Sequence, residues 1–437
     1  NESFTFEGFI KGRDYKDLQL NFNNVDLDKI TPSLNNLSFA GKINGIVDFK
    51  QENDNYNPIS DVTIDGLKVN QIDLGNLKLE VSSDQFLRKF NLNATISKND
   101  FESFYTRGTI EMVNREALLS LDTKFDDFDI KPLEPLLSAV FSNMRGKATG
   151  RFSTLGKATN PDINGVIYLN NAGMNIPYLN VDLNMEQRAQ IDVTENQFLF
   201  RNIQVTDTKF KTNGVIKGSV KHKNLDNWLL DLELSSKNIL ALDTKETEDA
   251  VYYGTAFLNG FASIKGLIED LKIVVSGKSE KGTAIKIPVR DSENYGEVTY
   301  INFINSSFNK NIEVPIKKQE SFDIILDFDI TKDAEIEVIL NQDTGHAMKG
   351  RGEGGMNLHY NTNGVFTMNG DYIIWDGEYN FKYGGIISKK LAVKKFGTIV
   401  WEGDPMAATL NLEAVYETQT NPSVLLESAS ISNRKVD

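Results

Sequence analysis

The 437-residue chain contains no cysteine, which removes disulfides, thiolate catalysis and cysteine-bound metals together. Proline is scarce at 10 residues, and no Gly/Ser-rich tether marks off separate beads. No apolar run approaches the roughly 20 residues of a membrane-spanning helix. A basic surplus is also lacking: 47 Lys and Arg face 61 Asp and Glu, for a net charge of −14, whereas nucleic-acid binding wants a basic stripe. The three histidines, His222, His346 and His359, have no partners at metal-ligand spacing, and His222, flanked by lysines, reads as a solvated loop residue. Gly350 to Gly355 has the glycines of a phosphate cradle without the lysine or the following helix, and other nucleotide and nucleophile signatures are missing. The acidic group Asp122, Asp126, Asp127 and Asp129 fits no calcium loop. Neither a cofactor nor an enzymatic activity is expected.

What is present is alternation. Val181, Leu183 and Met185 share one strand face, as do Phe322, Ile324, Leu326, Phe328 and Ile330, with Asp323, Asp327 and Asp329 between them. Leu410, Leu412 and Ala414 repeat the pattern, and the heaviest apolar stretches are Phe198, Phe200, Ile203 and Val205, then Ile373, Trp375, Tyr379 and Phe381. Side chains alternate sides along a strand, so the pattern predicts an all-β chain whose sheet has one apolar and one wet face. These assignments are parity arguments, and one bulge inverts every position downstream of it.

The glycines reveal a repeat. Val25 to Pro32 followed by Gly41 to Gly45 resembles Phe128 to Pro135 followed by Gly146 to Gly150, and a weaker copy runs through Asn238 to Leu242, Gly254 and Gly260. Repeats that bury a face only against their neighbours build a quasi-linear stack. A short helix is expected at Pro135 to Phe141, opened by prolines. Tight turns are expected at Asp65-Gly66, Asn213-Gly214, Asn259-Gly260, Asn363-Gly364 and Asn369-Gly370. Residues 278–320 read as a polar excursion, which separates trough repeats at 1–140 and 141–277 from a C-terminal domain at 321–437. The chain opens on Asn1 without an initiator methionine or signal sequence and reads as a piece of a larger protein.

The most specific signal lies in the last third. An apolar strand runs from Gly364 through Gly370 and Gly377 to Tyr379 and Phe381. A Gly397-Thr398-Ile399 strand follows, then a Gly403-Asp404-Pro405 turn and the alternating strand Leu410 to Tyr416. This order resembles the C-terminal domain of the TamB family, and Gly146, Gly150, Gly156, Pro161 and Gly165 resemble the looser pattern of that family and its AsmA-like relatives. The resemblance implies a long, continuous β-sheet rolled into a trough with an apolar interior and a few short helices. It also implies a periplasmic portion of a Gram-negative envelope protein, anchored in the inner membrane by a helix outside this sequence. The partner so implied is an outer-membrane barrel of the Omp85 superfamily, TamA-like.

Two roles come with the resemblance. In the first, phospholipid acyl chains pass between the membranes along a groove lined by the alternating residues named above. In the second, strand edges help outer-membrane proteins assemble by β-augmentation. A third reading, from the residues alone, is a closed structural β-solenoid stalk with a sealed dry core.

Overall fold

A computed structural model describes residues 2–31, 37–53, 55–84, 86, 88–114, 116–138, 140–223, 226–247, 250, 252–288, 321–341, 345–361, 365–383, 387–405, 407–420 and 434–436. The fold is all-β. Its strands are β1 (Ser3–Lys11), β2 (Tyr15–Asp26), β3 (Phe39–Glu52), β4 (Asn55–Val69), β5 (Ile72–Ser83), β6 (Lys89–Lys98), β7 (Phe101–Val113), β8 (Glu116–Asp129), β9 (Ser142–Lys157), β10 (Asn160–Ile176), β11 (Val181–Met185), β12 (Ala189–Thr194), β13 (Gln197–Asp207) and β14 (Asn213–Lys223). There follow β15 (Asp226–Thr244), β16 (Tyr253–Leu267), β17 (Asp270–Ser279), β18 (Ala284–Pro288), β19 (Ser321–Ile330), β20 (Glu335–Asn341), β21 (His346–Asn361), β22 (Phe366–Tyr383), β23 (Ile387–Val393), β24 (Thr398–Gly403), β25 (Thr409–Asn411) and β26 (Ala414–Val415). These 26 strands belong to one hydrogen-bonded sheet, and Thr418–Thr420 pairs separately with Arg434–Val436.

By contacts the chain divides into two compact units: Asn1–Ile239 with Phe261–Leu271, and Leu240–Gly260 with Lys272–Asp437. In the first unit each strand from β1 to β10 pairs antiparallel with the next. β11 and β12 then lie end to end between β10 and β13, and β14 and β15 follow. In the second unit β19 and β20 lie end to end against β21, which pairs with β22, and β22 in turn carries β23 and β24. β18 runs parallel to β20, and a parallel pair needs a crossover. The chain between them includes 289–320, the larger part of the expected polar excursion, which lies outside the described residues; 278–279 end β17 and 284–288 form β18.

One irregularity recurs in the first unit and sets its faces. Phe22 to Val25 on β2, Phe125 to Phe128 on β8 and Phe200 to Ile203 on β13 each advance three residues opposite two on the next strand, and β10 does the same at Asn170 to Gly173. Asn24, Asp127, Asn202 and Asn171 take φ of 51°, 47°, 54° and 50° there, the left-handed region that Asn and Asp tolerate best. The extra residue makes a β-bulge, so apolar residues three apart fall on the same face. The Phe125 and Phe128 rings accordingly sit 5.1 Å apart.

The repeat is visible in these bulges. The β2 and β8 bulges are each followed by a short 3-10 helix, Leu27–Lys29 and Lys131–Leu136, and then by a glycine at positive φ, Gly41 and Gly146. The second of these corrects the helix expected at Pro135 to Phe141. The helical turn starts earlier and ends at Leu136, with Pro132 at its start, and the Val140 and Phe141 N–H groups then bond back to the Leu137 carbonyl.

The Asn-Gly expectations need correction too. Asp65-Gly66 lies inside β4, Asn213-Gly214 opens β14, and Asn259-Gly260 and Asn369-Gly370 lie within β16 and β22; Asn363-Gly364 is outside the described residues. At Gly260 a Cβ would meet the Ser276 carbonyl oxygen at 2.1 Å, so this glycine serves close strand approach rather than a turn. Tight two-residue turns with both central residues at positive φ occur instead at Asn70-Gln71 and Asn99-Asp100.

Candidate functional site

Register carries single residues across the sheet as rows. One row on the first unit runs Val25, Ile43, Ile64, Leu77, Ile96, Phe104, Phe125, Gly150, Ile167, Ile191, Phe200, Gly218 and Leu232, each opposite the next. Two residues along, a second runs Phe4, Phe22, Gly45, Val62, Leu79, Ala94, Thr106, Thr123, Phe152, Gly165, Val193, Phe198, Val220 and Leu230. A third runs Phe6, Leu20, Val47, Ser60, Val81, Leu92, Gly108, Leu121, Thr154 and Ile163. No position in the three rows is charged.

At about 4.8 Å per strand the first row extends roughly 58 Å along the sheet. Glycines alternate with rings where the floor is most crowded: a Cβ on Gly150, opposite Phe125, would lie 2.3 Å from the Val166 carbonyl oxygen. Two of the polar members, Thr106 and Thr123, hydrogen-bond each other at 2.9 Å. Phe104, Phe125, Phe128 and Phe152 form a chain of ring contacts of 5.1 to 6.2 Å and are only half-buried.

The opposite face is charged. Its row Asp61, Glu80, Asn93, Arg107 and Asp122 is interlaced with pairs such as Lys78–Glu80 at 2.6 Å and Arg151–Asp122 at 2.5 Å. The acidic group sits here: Asp122 accepts two hydrogen bonds from Arg151, Asp129 one from Lys147 and Asp126 one from Lys124. The Arg151 guanidinium holds the Asp122 carboxyl below the usual carboxylate range. Among the described residues no group of three or more His, Asp or Glu is placed to hold a metal.

The seven expected groove residues of the first unit share the uncharged face. Met185 lies opposite Val205, Phe198 and Phe200 stand in the rows, and the β13 bulge keeps Ile203 and Val205 on their side. Met185, Phe198 and Phe200 pack half-buried on a core of Ala189, Ile191 and Ile203, whereas Val181, Leu183, Ile203 and Val205 are at most 2% exposed. In the second unit Ile324, Leu326, Phe328 and Ile330 share one half-buried face opposite Tyr360, Leu358, Met356 and Gly354. Phe322 belongs to β19, and its side chain is outside the described residues.

β22 splits its four. Trp375 is the extra residue of a bulge between Ile374 and Asp376, so Tyr372 and Ile374 before it and Tyr379 after it face the buried core, and Phe381 follows Tyr379 two residues on. Ile373 lies instead opposite Glu353, and Trp375 lies under Lys332, whose Nζ is 3.4 Å from the ring centroid. Leu412 packs on the core, Leu410 opposite Ile399 is 52% exposed, and Ala414 pairs with Val393. Sequence reasoning missed the row from Ile43 to Phe125, although the β3 to β8 segments alternate; register places Gly45 of β3 opposite Phe22 and Gly150 of β9 opposite Phe125.

His222 corrects the solvated-loop expectation. It is buried, 5.3 Å from the Trp228 ring and 6.0 Å from Phe198. Burial pushes its pKa below 6.5, because the charged ring would lose hydration. As pH falls through 6.5 the unfolded chain takes up a proton before the folded one does, so the stability contributed above that pH is lost downward. Thermal melts from pH 7 to pH 5 are therefore expected to fall more steeply for the wild type than for His222→Phe.

A family model for the TamB C-terminal domain matches residues 201–436, more than half of the chain. The chain belongs to the TamB family. No curated protein and no solved structure gives a match. TamB proteins are cell-envelope proteins, and no enzymatic activity is attached to the family. No helix among the described residues is long and apolar enough to cross a membrane. The matched region begins on β13 and takes in all of the second unit's later strands, β18 to β26.

Proposed function

We propose that the uncharged face is a groove that conducts phospholipid, without catalysis, between the two membranes of a Gram-negative envelope. The observation that carries this reading is the three uncharged rows in register across successive strands of the first unit. Their width supports it: positions four residues apart along a strand span about 14 Å, close to the roughly 15 Å of one leaflet's hydrocarbon. An acyl chain can lie along the strands, each covered CH₂ contributing about 0.8 kcal/mol with no polar partner required. Because successive rungs are chemically alike, a chain passes from one to the next without losing a specific contact.

In this reading residues 1–140 and 141–277 supply successive stretches of groove, and 321–437 the C-terminal domain. The protein works in the periplasm as part of an inner-membrane-anchored chain, with an Omp85-superfamily barrel of the TamA type as partner. Its membrane contacts come from segments outside this sequence. A second reading, a scaffold for outer-membrane protein assembly, is favoured by β1: all nine of its residues are exposed, and it pairs only with β2 among the described residues. The stalk reading needs the burial of Val181, Leu183 and Val205 to extend along the whole face, and Ile64, Leu77 and Phe104 are half-buried.

Photo-crosslinking residues at Leu79, Phe104, Phe200 and Leu326, with Asp122 and Asp327 as opposite-face controls, test the assignment. Phospholipid adducts from the first set and not from the controls are expected. Barrel-protein adducts in their place would favour the scaffold, and no adduct at all would favour the sealed stalk.

A further inference from the structure

The two borders of the first unit's uncharged face differ. Where β2, β4 and β8 end, the apolar residues Val25, Leu27, Leu67, Leu74, Ile96 and Ile130 are buried. Leu27 belongs to the first 3-10 helix, and Ile130 caps the second. This border is also bridged: Asn70 in the β4–β5 turn donates from Nδ2 to the Pro132 carbonyl at 2.9 Å. Those two points lie three strand spacings apart on the sheet, about 14 Å if it were flat, so the border closes over itself here. Asn70 Oδ1 meanwhile accepts the Ser38 backbone N–H at 2.9 Å, which ties in the chain that follows the first helix.

At the other ends of the same strands, Leu20, Val47, Val81, Leu92, Ile110 and Leu119 are only half-buried. The turns beyond them differ in charge as well. At the helical border Lys29, Lys42, Lys98 and Lys147 are each held by an aspartate or glutamate. At the open border Lys50, Lys89 and Lys157 are paired with Asp17, Glu111 and Glu116, but Arg13 and Arg88 have no carboxylate partner among the described residues. Arg88 stacks on the exposed Phe86 ring at 5.8 Å, and the carboxylate nearest it in sequence, Asp84, is engaged with the backbone N–H groups of Arg88 and Lys89 at 2.8 and 3.2 Å. Asp14 and Glu52 share this border with Lys11 and Lys16, so what sets the two arginines apart is the forked donor geometry of guanidinium rather than a broad positive field.

We propose that a lipid in the groove lies in one orientation, its phosphate-bearing headgroup along the open border against Arg13 and Arg88 and its tails pointing toward the border bridged by the 3-10 helices. This rests on the groove reading. Guanidinium suits phosphate because its planar fork donates two hydrogen bonds at once. Tails belong at the other border because it buries apolar side chains and four of its lysines are already paired with carboxylates.

The test uses the whole chain with mixed phosphatidylethanolamine and phosphatidylglycerol vesicles carrying a diazirine either on the headgroup or in the acyl tail, and maps the labelled peptides. Headgroup label is expected on the peptides around 11–18 and 84–92, and tail label on those holding Ile43, Ile64, Ile96 and Phe104. The double substitution Arg13→Gln with Arg88→Gln is expected to reduce headgroup labelling there by about threefold to tenfold, the weight of exposed charge contacts, while the tail-labelled peptides stay the same. Both arginines sit in exposed turns, so the variant is expected to fold. Headgroup label around 25–31 and 128–134 with tail label retained on the floor would overturn the orientation and leave the groove standing. Unchanged headgroup labelling in the double variant would overturn the role of the arginines, and absence of both labels would overturn the groove itself.

Discussion

An aspartate in place of Leu79 is expected to cut acyl-chain labelling of the β5–β7 floor by about tenfold while the protein keeps a cooperative melt, whereas the same charge in place of Leu183 is expected to unfold the first unit. The two positions are chemically equivalent in sequence, each an apolar member of an alternating strand. They differ in cover. Leu79 is half-buried in the second uncharged row, between Val62 and Ala94, so a carboxylate there can reach water. Its cost falls on a lipid tail passing over it, which gives up apolar contact worth about 0.8 kcal/mol per CH₂; loss of two methylenes suffices for a tenfold effect. Leu183 is 1% exposed, and a buried charge without a partner there costs about 3–5 kcal/mol, a large part of a typical domain's stability. Photo-labelling together with a thermal melt separates the two effects. Wild-type labelling of Leu79→Asp would remove its row from the lipid path, and a stable Leu183→Asp would show that β11 is not sealed.

Replacing Asp207 by alanine is expected to lower stability by about 2–3 kcal/mol, from a single polar residue at a hairpin. Asp207 is fully buried at the end of β13. Its carboxylate accepts the backbone N–H groups of Lys209, Phe210 and Thr212 at 3.0, 2.6 and 2.6 Å, and the Thr212 hydroxyl as well. Removing it takes away the acceptor that gathers these four hydrogen bonds at one buried point. Burial alone would raise the Asp207 pKa, but the hydrogen bonds from Thr212, Phe210 and Lys209 together outweigh it and hold the carboxyl below 3.8. The sign follows: the stabilisation is fully present above pH 3.8 and is lost as pH falls below it, toward the folded-state value. Urea titrations at pH 7 and pH 3 should therefore find wild type and Asp207→Ala closer together at the lower pH. An equal gap at both would show that the side chain acts through packing rather than charge.

Much of the architecture was legible because its signals are local. A two-residue period in hydrophobicity reports a strand with two unlike faces wherever it occurs, and the Gly-Thr-Ile and Gly-Asp-Pro order near the C-terminus pointed to the TamB family, whose domain model matches 201–436. Shared faces were readable where no irregularity intervened, as from Ile324 to Ile330 on β19. On β22 parity alone joined Ile373 and Trp375 to Tyr379 and Phe381, and the bulge at Trp375 separates them. His222 eluded sequence reasoning for a related reason: its lysine neighbours signalled solvent, but consecutive residues of a strand point to opposite faces, and its own ring turns toward Phe198 and Trp228.

By itself, then, the sequence determined that this is an all-β chain with one apolar face and pointed to the TamB family, since alternation and motif order survive any choice of pairing. Only the tertiary structure decided which residues form a row, which end of the face is bridged and which glycines must stay small. Those properties depend on register. One extra residue at Asn24, Asp127 or Asn202 reverses the parity of everything beyond it, and a partner such as Pro132 for Asn70 lies 62 residues away along the chain.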